Sequence, residues 1–330
     1  MKYRPARASR PPPVFELQYK ASMAQLAAHC PEPFPPVGLM ARLRDYLQSM
    51  LLAENLPPTV YMISMLLEKF SLLAQMTQRG KPFIYKKRRT ISLLFDMSAV
   101  QSEMSLDAPD ELVLGYTQTM MGFLLFKPDP RRIGMIGLGG GSLAKFCHRY
   151  LPDATMDVAE IDAGVIELRD QFHIPADDAR LAIHCMDGAD YVRQSSGTFD
   201  VILLDGFDRH GQPPQLCTQA FYDDCYRALA PGGILVVNLM ADEQATGIYL
   251  DRLNTTFNNA VIVLNSLDSL NNVAFAGKGD VLDTDRRTLI RRLEQLESRL
   301  PLMLKLTAWS LLLARRTATL APEHESLDFA

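Results

Sequence analysis

A glycine-rich turn between two apolar segments constrains the fold of this chain more than any other feature. The segment from Arg131 to Asp162 reads RRIGMIGLGGGSLAKFCHRYLPDATMDVAEID, and its pattern predicts a strand, a glycine loop, a helix and a second strand. The first strand, Ile133 to Ile136, is short and apolar, as is typical of a parallel strand covered on both faces. Such a unit belongs to a doubly wound α/β sheet, in which backbone groups approach a nucleotide-like ligand at a helix start.

The loop and an acid beyond it indicate a nucleoside site. Gly137, Gly139, Gly140 and Gly141 carry no side chain that would hold a ligand off. Glu160 follows Gly137 by 23 residues, at the tip of the second strand, where a carboxylate can accept hydrogen bonds from ribose hydroxyls. A tight strand-to-helix turn or a dehydrogenase would give a similar glycine pattern. The loop lacks the Lys-Ser/Thr pair of a phosphate-binding P-loop.

Two later segments favour an S-adenosyl ligand. Asp187-Gly188 follows the apolar run Leu181 to Ile183, so an acid at that strand end can accept a hydrogen bond from an adenine amino group. The next predicted strand, Phe199 to Leu204, leads into Asp205 and Asp208, at the edge where open α/β sheets place their chemistry. An Asx turn leaving a strand is the alternative interpretation of these two acids.

These segments, in this order, resemble the spermidine synthase (polyamine aminopropyltransferase) family, and in particular a divergent bacterial spermidine synthase-like branch. The family has the fold of S-adenosylmethionine-dependent methyltransferases. The resemblance extends roughly from Lys81 to Lys278. The matching segments are Val100-Gln101, Ile136 to Gly141, Ala159 to Ile166, Asp187-Gly188, Asp205 with Asp208, Leu216 to Tyr222 and Leu229 to Gly233.

The resemblance implies which residues hold the nucleoside. Gln101 and Glu160, with Ile161 beside the latter, would contact its ribose or the part derived from methionine, and Asp187 with Gly188 would hold the adenine. The implied donor is decarboxylated S-adenosylmethionine or S-adenosylmethionine itself.

The resemblance also assigns the chemistry. Asp205 would orient or deprotonate the attacking amine, with Asp208 beside it. An amine must lose a proton to attack the carbon beside a sulfonium, and a partly desolvated carboxylate is a competent acceptor for that proton. The implied partner is a small-molecule amine such as putrescine, and acids along the cleft would attract the cationic sulfonium.

Three departures from the family pattern bear on the substrates. Gly140 stands where family members with established polyamine activity carry an Asp, and it would leave room for a donor carboxylate at the helix amino end. In an ungapped alignment Asp110-Glu111 keeps the first acids of an Asp-Glu-Phe-x-Tyr-His-Glu run, whereas Leu114 to Tyr116 replace its Tyr, His and Glu. Asp208-Arg209 replaces Asp-Pro. A small-molecule methyltransferase and a catalytically silent nucleoside-binding homologue therefore remain as alternatives.

The pattern along the chain predicts five regions. A seven-stranded Rossmann-like sheet of the methyltransferase type, with an antiparallel edge, is expected after a small β-hairpin domain and an amino-terminal helical extension. The regions are a disordered basic arm (1–14), the helical extension (15–80), the small β domain (81–105), the S-adenosyl-binding domain (106–280) and carboxyl-terminal helices with a tail (281–330).

Composition limits the partners and the compartment. The 34 basic and 38 acidic residues give a net charge of −4 without a long basic run, which argues against nucleic-acid binding. The five cysteines show no metal-ligand spacing, so no metal site is predicted, and Cys147 and Cys185 are expected to be free core thiols. Neither a secretory signal nor a membrane-spanning segment is evident. A cytoplasmic enzyme is expected, and the resemblance implies a possible homodimer.

Overall fold

The computed structural model describes residues 81–95, 100–208, 211–240, 245–266 and 271–320, with side chains as far as Ala314. The predicted basic arm (1–14) and helical extension (15–80) lie outside the described residues, as do the last residues of the predicted tail.

A three-stranded antiparallel sheet stands first in the described chain. Its strands are β1 (Phe83–Lys86), β2 (Thr90–Leu94) and β3 (Ser102–Ser105), in the order β1-β2-β3. The first two form the predicted hairpin, whereas β3 was missed because the segment SEMS contains no apolar run. Burial nevertheless alternates along β3 as in a half-buried strand, since Ser102 and Met104 are both buried.

The main sheet contains seven strands in the order β6-β5-β4-β7-β8-β10-β9. Strands β4 to β8 pair in parallel, and the order reverses beside β4, which is the topological switch point of a doubly wound sheet. The strands are β4 (Arg132–Ile136), β5 (Thr155–Glu160), β6 (Leu181–Cys185), β7 (Phe199–Leu204), β8 (Leu229–Met240), β9 (Val261–Asn265) and β10 (Asn271–Gly277).

The predicted antiparallel edge is formed by β9 and β10, and the strand that runs opposite to the others, β10, lies one place inside the edge. Strand β10 pairs antiparallel with both β8 and β9, which leaves β9 as the edge strand. Although β9 precedes β10 in the chain, β10 lies between β9 and β8. The opposite edge is β6, so Cys185 at its end is exposed rather than in the core as predicted.

Helices cover both faces of this sheet. They are α1 (Gly115–Met120), α2 (Ser142–Tyr150), α3 (Ala163–Glu167), α4 (Gly188–Arg193), α5 (Gln219–Ala228), α6 (Thr246–Thr256), α7 (Arg286–Arg299) and α8 (Leu304–Leu320), with short 3-10 turns at Met121–Leu125, Pro214–Leu216 and Val281–Asp283. In the described parts of the chain, the model contains no helix long and apolar enough to span a lipid bilayer.

The apolar pattern from Leu112 to Leu125 predicts a single helix before β4, but the structure divides this segment. Leu114 is extended, helix α1 begins only at Gly115, and the last residues form a 3-10 turn. All five residues of that turn are buried. Close packing on every side therefore determines its backbone, and the one-sided apolar pattern of a regular surface helix is absent.

Strand β7 shows how the core is divided between the two faces. Val201 and Leu203 point into the apolar cluster on one face, and Ile202 and Leu204 point into the cluster on the other. All four side chains are fully buried, which is why this central strand is continuously apolar. Helices on both sides therefore hold the strand ends in fixed positions.

Candidate functional site

A cavity of about 520 Å³ opens where the parallel strands of the main sheet end. Four strand ends contribute to its wall: Ile136–Gly139 after β4, Glu160 and Ile161 after β5, Asp187 and Gly188 after β6, and Asp205–Asp208 after β7. This is the crevice at the carboxyl ends of the strands, next to the switch point, where open α/β sheets bind ligands.

Most residues that the sequence singled out meet in this cavity. Its wall includes Gln101, Gly137, Gly139, Glu160, Ile161, Asp187, Gly188, Asp205 and Asp208. The predicted residues Gly140 and Gly141 are not part of the wall. A Cβ on Gly141 would lie 2.5 Å from the side chain of Ile174. These two glycines thus let the loop pack against protein, not against a ligand.

The surroundings of Gly140 contradict one expectation. A Cβ at this position would lie 2.7 Å from Ser102 Oγ and 2.9 Å from the ring of Phe172. The space that was expected to receive a donor carboxylate is therefore filled by these two side chains.

Gly137 is the glycine that the site cannot replace. Its φ is +88°, and a Cβ would lie 2.3 Å from the backbone oxygen of Asp205. Its N–H donates to Ala159 O at 2.8 Å. The close approach of three strand ends at this point requires a residue without a side chain.

Glu160 is a buried carboxylate held by backbone donors. Its Oε2 accepts from the N–H of Leu138 at 2.8 Å, and its Oε1 accepts from the N–H of Asp162 at 2.9 Å. Burial raises the pKa of this carboxyl group, and these backbone donors oppose the rise. Each oxygen keeps acceptor capacity, so the group can also receive two hydroxyl donors.

Asp187 begins helix α4 and faces the same cavity. Its Oδ1 accepts from the N–H of Ala189 at 2.7 Å, which caps the helix, and its Oδ2 accepts from Gln215 Nε2 at 3.3 Å. Gln215 also lines the cavity and was not predicted, because it sits in a proline-rich segment without a motif.

Asp205 is open to the cavity but shielded from bulk water. Its Oδ1 accepts from Asn238 Nδ2 at 2.8 Å, and its Oδ2 accepts from the Tyr116 hydroxyl at 3.3 Å. Desolvation raises the pKa of Asp205, and the two hydrogen bonds oppose the rise. Burial, then the charge of Asp205, raises the pKa of Tyr116, so its phenol stays a donor. Such a carboxylate is a proton acceptor in reach of a ligand.

Like Gln215, Tyr116 and Asn238 are cavity residues that the sequence patterns did not predict. The ungapped alignment set Leu114 against the tyrosine of the family run, but the structure brings the phenol of Tyr116, two residues later, to Asp205. A gap in the alignment would have found it. The signal for Asn238 was a single amide in the apolar strand segment ILVVNLM.

The cavity carries a one-sided charge. Its described wall includes four carboxylates, those of Glu160, Asp187, Asp205 and Asp208, and no lysine, arginine or histidine. Low-dielectric walls with charges of one sign focus the field, so this cavity favours a cationic ligand. Among the described residues, no three acids, histidines or cysteines lie close enough together to hold a metal ion.

Comparison with known proteins identifies the family. The model of the spermine/spermidine synthase domain matches residues 113–246, from just before α1 to the first residue of α6. A polyamine aminopropyltransferase of Chromobacterium violaceum is 39% identical over 209 residues, which cover 63% of this chain and 80% of that protein. This chain belongs to the spermine/spermidine synthase family. A second member, the polyamine aminopropyltransferase of Neisseria meningitidis serogroup A, is also 39% identical, over 185 residues and 70% of its length.

Solved structures confirm the family fold. The chain is similar to a spermidine synthase from Thermotoga maritima, with 22% identity and a TM-score of 0.51 over 72% of this chain and 87% of that one. It is also similar to a probable spermidine synthase from Corynebacterium glutamicum, with 18% identity and a TM-score of 0.55 over 76% and 95% of the two chains. The predicted family and the predicted methyltransferase-type sheet are thus both confirmed.

Proposed function

We propose that this protein transfers an aminopropyl group from decarboxylated S-adenosylmethionine to a small-molecule amine such as putrescine, as a step in polyamine biosynthesis. The observation that carries the proposal is Asp205, a desolvated carboxylate with two neutral donors, in a cavity whose described wall bears acids and no cations. Relatives named polyamine aminopropyltransferase support the same activity.

The nucleoside would lie across the ends of β4, β5 and β6. Glu160 would accept from the ribose hydroxyls, since its oxygens have capacity beyond their two backbone donors. Asp187 would accept from the adenine amino group, with Gly188 beneath the ring. Gln101 and Ile161, which also line the cavity, would complete the contacts.

The chemistry follows from the position of Asp205. The amine nitrogen attacks the carbon bonded to the sulfonium, the new N–C bond forms, and the C–S bond breaks with its electron pair going to sulfur. The nitrogen's surplus proton passes to the Asp205 carboxylate, which its raised pKa makes a better acceptor than an ordinary aspartate. Asp208, on the loop after β7, would attract the second ammonium group of a diamine.

The charge of the cavity favours the decarboxylated donor. The intact methionine form would bring a carboxylate into a wall with four carboxylates and no described cation. The space beside Gly140, which the sequence suggested for this donor carboxylate, is filled by Ser102 and Phe172. An unpaired anion desolvated there would be costly. A solved spermidine synthase bound to the transition-state analogue AdoDATO has the same fold, at 22% identity and a TM-score of 0.54.

The test is a turnover assay read by product mass. Purified protein is incubated with each donor form and with putrescine, cadaverine or spermidine, and Asp205→Asn is the matched control. We expect an aminopropyl adduct with the decarboxylated donor, formed far more slowly by the control. A methyl adduct would instead establish the methyltransferase alternative, and binding of methylthioadenosine without any product would favour the silent homologue.

A further inference from the structure

Two asparagines connect the antiparallel strand β10 to Asp205. Asn238 Nδ2 donates to Asp205 Oδ1 at 2.8 Å, and Asn271 Nδ2 donates to Asn238 Oδ1 at 2.9 Å. We propose that Asn238 is a positioning residue for Asp205, and that Asn271 holds Asn238 in the orientation that this requires. The activity readout of this inference rests on the proposed function.

The sheet register places Asp205 beside Asn238, whereas Asn271 pairs with Met240, two residues beyond Asn238 in β8. Leu204 of β7 pairs with Val237 of β8, so the next residues along, Asp205 and Asn238, are neighbours at the strand ends. Asn238 is only 2% exposed, between apolar residues. A buried amide is costly unless its donor and acceptor are both paired, and here each has a partner.

The negative charge of Asp205 determines which group donates and which accepts in this chain of hydrogen bonds. An ionised Asp205 offers only acceptors, so Asn238 must turn its NH₂ group toward it and its carbonyl oxygen away. Asn271 then supplies the donor that this carbonyl needs. With the amide of Asn238 reversed, two oxygens would face each other across 2.8 Å, and the carboxylate would lose its shorter hydrogen bond.

Few other groups act on the carboxylate. The Tyr116 phenol contacts its other oxygen from α1, and the remaining charged groups of the described wall, Glu160, Asp187 and Asp208, are acids and supply no positive charge. Asn238 and Tyr116 are the groups that lower the pKa of Asp205. Loss of Asn238 therefore leaves the base misaligned and harder to ionise.

The main test is Asn238→Leu, which keeps the volume and removes both hydrogen bonds. We expect kcat to fall about 10- to 100-fold at neutral pH, as for loss of a hydrogen bond to a charged group, with little change in KM for the donor. The acid limb of the profile of kcat/KM against pH should move to higher pH, which a merely structural defect would not cause. An unchanged acid limb would overturn the proposal.

A second variant tests the role of Asn271. Asn271→Val should shift the acid limb in the same direction but less, and it should have no further effect when Asn238 is already Leu, since it acts through Asn238. Fully additive effects would contradict this coupling. The control is Asn272→Val, because Asn272 lies next in β10, pairs with Leu239 and lies outside the cavity wall. Asn271 is partly exposed, so Asn271→Val should fold even if Asn238→Leu does not. The shift of the acid limb in Asn271→Val would then still test the proposal.

A measurement without turnover separates this inference from the proposed function. The carboxyl carbon of Asp205 is titrated by NMR and assigned by its disappearance in Asp205→Asn. Its pKa should be higher in Asn238→Leu than in the unchanged protein, and equal values would refute the positioning role. If no amine is turned over, the proposed function fails while this titration still decides the role of Asn238.

Discussion

The N–H of Leu138 donates to Glu160 Oε2 at 2.8 Å, which ties the loop after β4 to the tip of β5. The same carboxylate accepts from Asp162 through its other oxygen. Glu160 therefore shapes the glycine loop and faces the cavity at once, so the nucleoside site is preorganised before any ligand arrives.

Glu160→Gln should weaken nucleoside binding. The amide keeps one acceptor oxygen, but its NH₂ group must face a backbone N–H or a ribose hydroxyl donor, so about 10- to 100-fold in affinity should be lost. Calorimetric titration with methylthioadenosine measures this. The matched control is Glu167→Gln, since Glu167 is exposed at the end of α3 and outside the cavity wall. Equal affinity in the unchanged protein, Glu160→Gln and Glu167→Gln would show that Glu160 does not bind the nucleoside.

Asp205→Asn should lower turnover by about 100- to 10,000-fold, the usual contribution of a general base, while nucleoside affinity changes little. The amide is nearly the same size and cannot accept the proton. Single-turnover kinetics measures the loss of turnover, and calorimetry on the same preparation measures the nucleoside affinity. Residual activity near that of the unchanged protein would show that another group, or water, takes the proton.

The activity of the unchanged protein should fall on acidification at a higher pH than an ordinary aspartate would dictate. Desolvation raises the pKa of Asp205, and only its deprotonated form accepts the amine's proton. Protonation on lowering the pH through that raised pKa therefore removes the base. The measurement is kcat/KM between acidic and neutral pH, and an acid limb at the ordinary pKa of aspartate would contradict the desolvated environment.

Restoring the family's acid at Gly140 should destabilise the protein rather than improve it. The new Cβ would lie 2.7 Å from Ser102 Oγ and 2.9 Å from Phe172. Such overpacking costs about 1 to 3 kcal/mol. Thermal unfolding of Gly140→Asp should show a lowered Tm, and adding Ser102→Gly should recover part of the loss. A Tm equal to that of the unchanged protein would mean that the loop moves freely.

Lys145 should make stability depend on alkaline pH. Its buried ammonium donates to Phe172 O at 2.8 Å and to Met104 Sδ at 3.0 Å, and burial lowers its pKa to about 8. Between pH 8 and 10.5 the unfolded chain keeps a proton on this lysine that the folded protein has released, so Lys145 by itself makes the free energy of unfolding rise with pH. The buried thiols of Cys147 and Cys225, whose pKa is raised by burial, contribute in the opposite direction.

The rise that Lys145 contributes should amount to roughly 3 kcal/mol. Denaturant unfolding of the unchanged protein and of Lys145→Met across this pH range measures this contribution as the difference between the two profiles, because Lys145→Met should lack it. Lys81→Met, at an exposed lysine, is the control and should keep it. The same pH dependence in the unchanged protein and in Lys145→Met would show that Lys145 keeps its proton when folded.

The parallel strands and the acids at their ends could be predicted because each signal is local. An apolar run that ends in a glycine or an acid, such as Phe199 to Leu204 before Asp205, specifies both a buried strand and what emerges from it. The helical spacing of apolar residues from Arg286 to Arg299 is also a local signal, and it predicts the bounds that α7 has in the structure. The described residues thus bring nine of the eleven predicted positions into one cavity.

The contacts around Asp205 could not be predicted, because they join distant parts of the chain. Tyr116 is 89 residues from Asp205 in sequence, and Asn238 and Asn271 are each 33 residues from their partners. No spacing rule relates such positions until the strand order is known. Similarly, glycine composition alone could not show that Gly140 and Gly141 pack against Ser102, Phe172 and Ile174.

The acid-lined wall of the cavity has a consequence for the order in which products depart. Under the proposed reaction the positive charge leaves sulfur and ends on the lengthened amine, so the spent nucleoside becomes an uncharged thioether. The four carboxylates then hold the two products unequally. The nucleoside is free to diffuse away first, whereas the polycation must escape an attractive field, and its exit quickens as dissolved ions weaken that field.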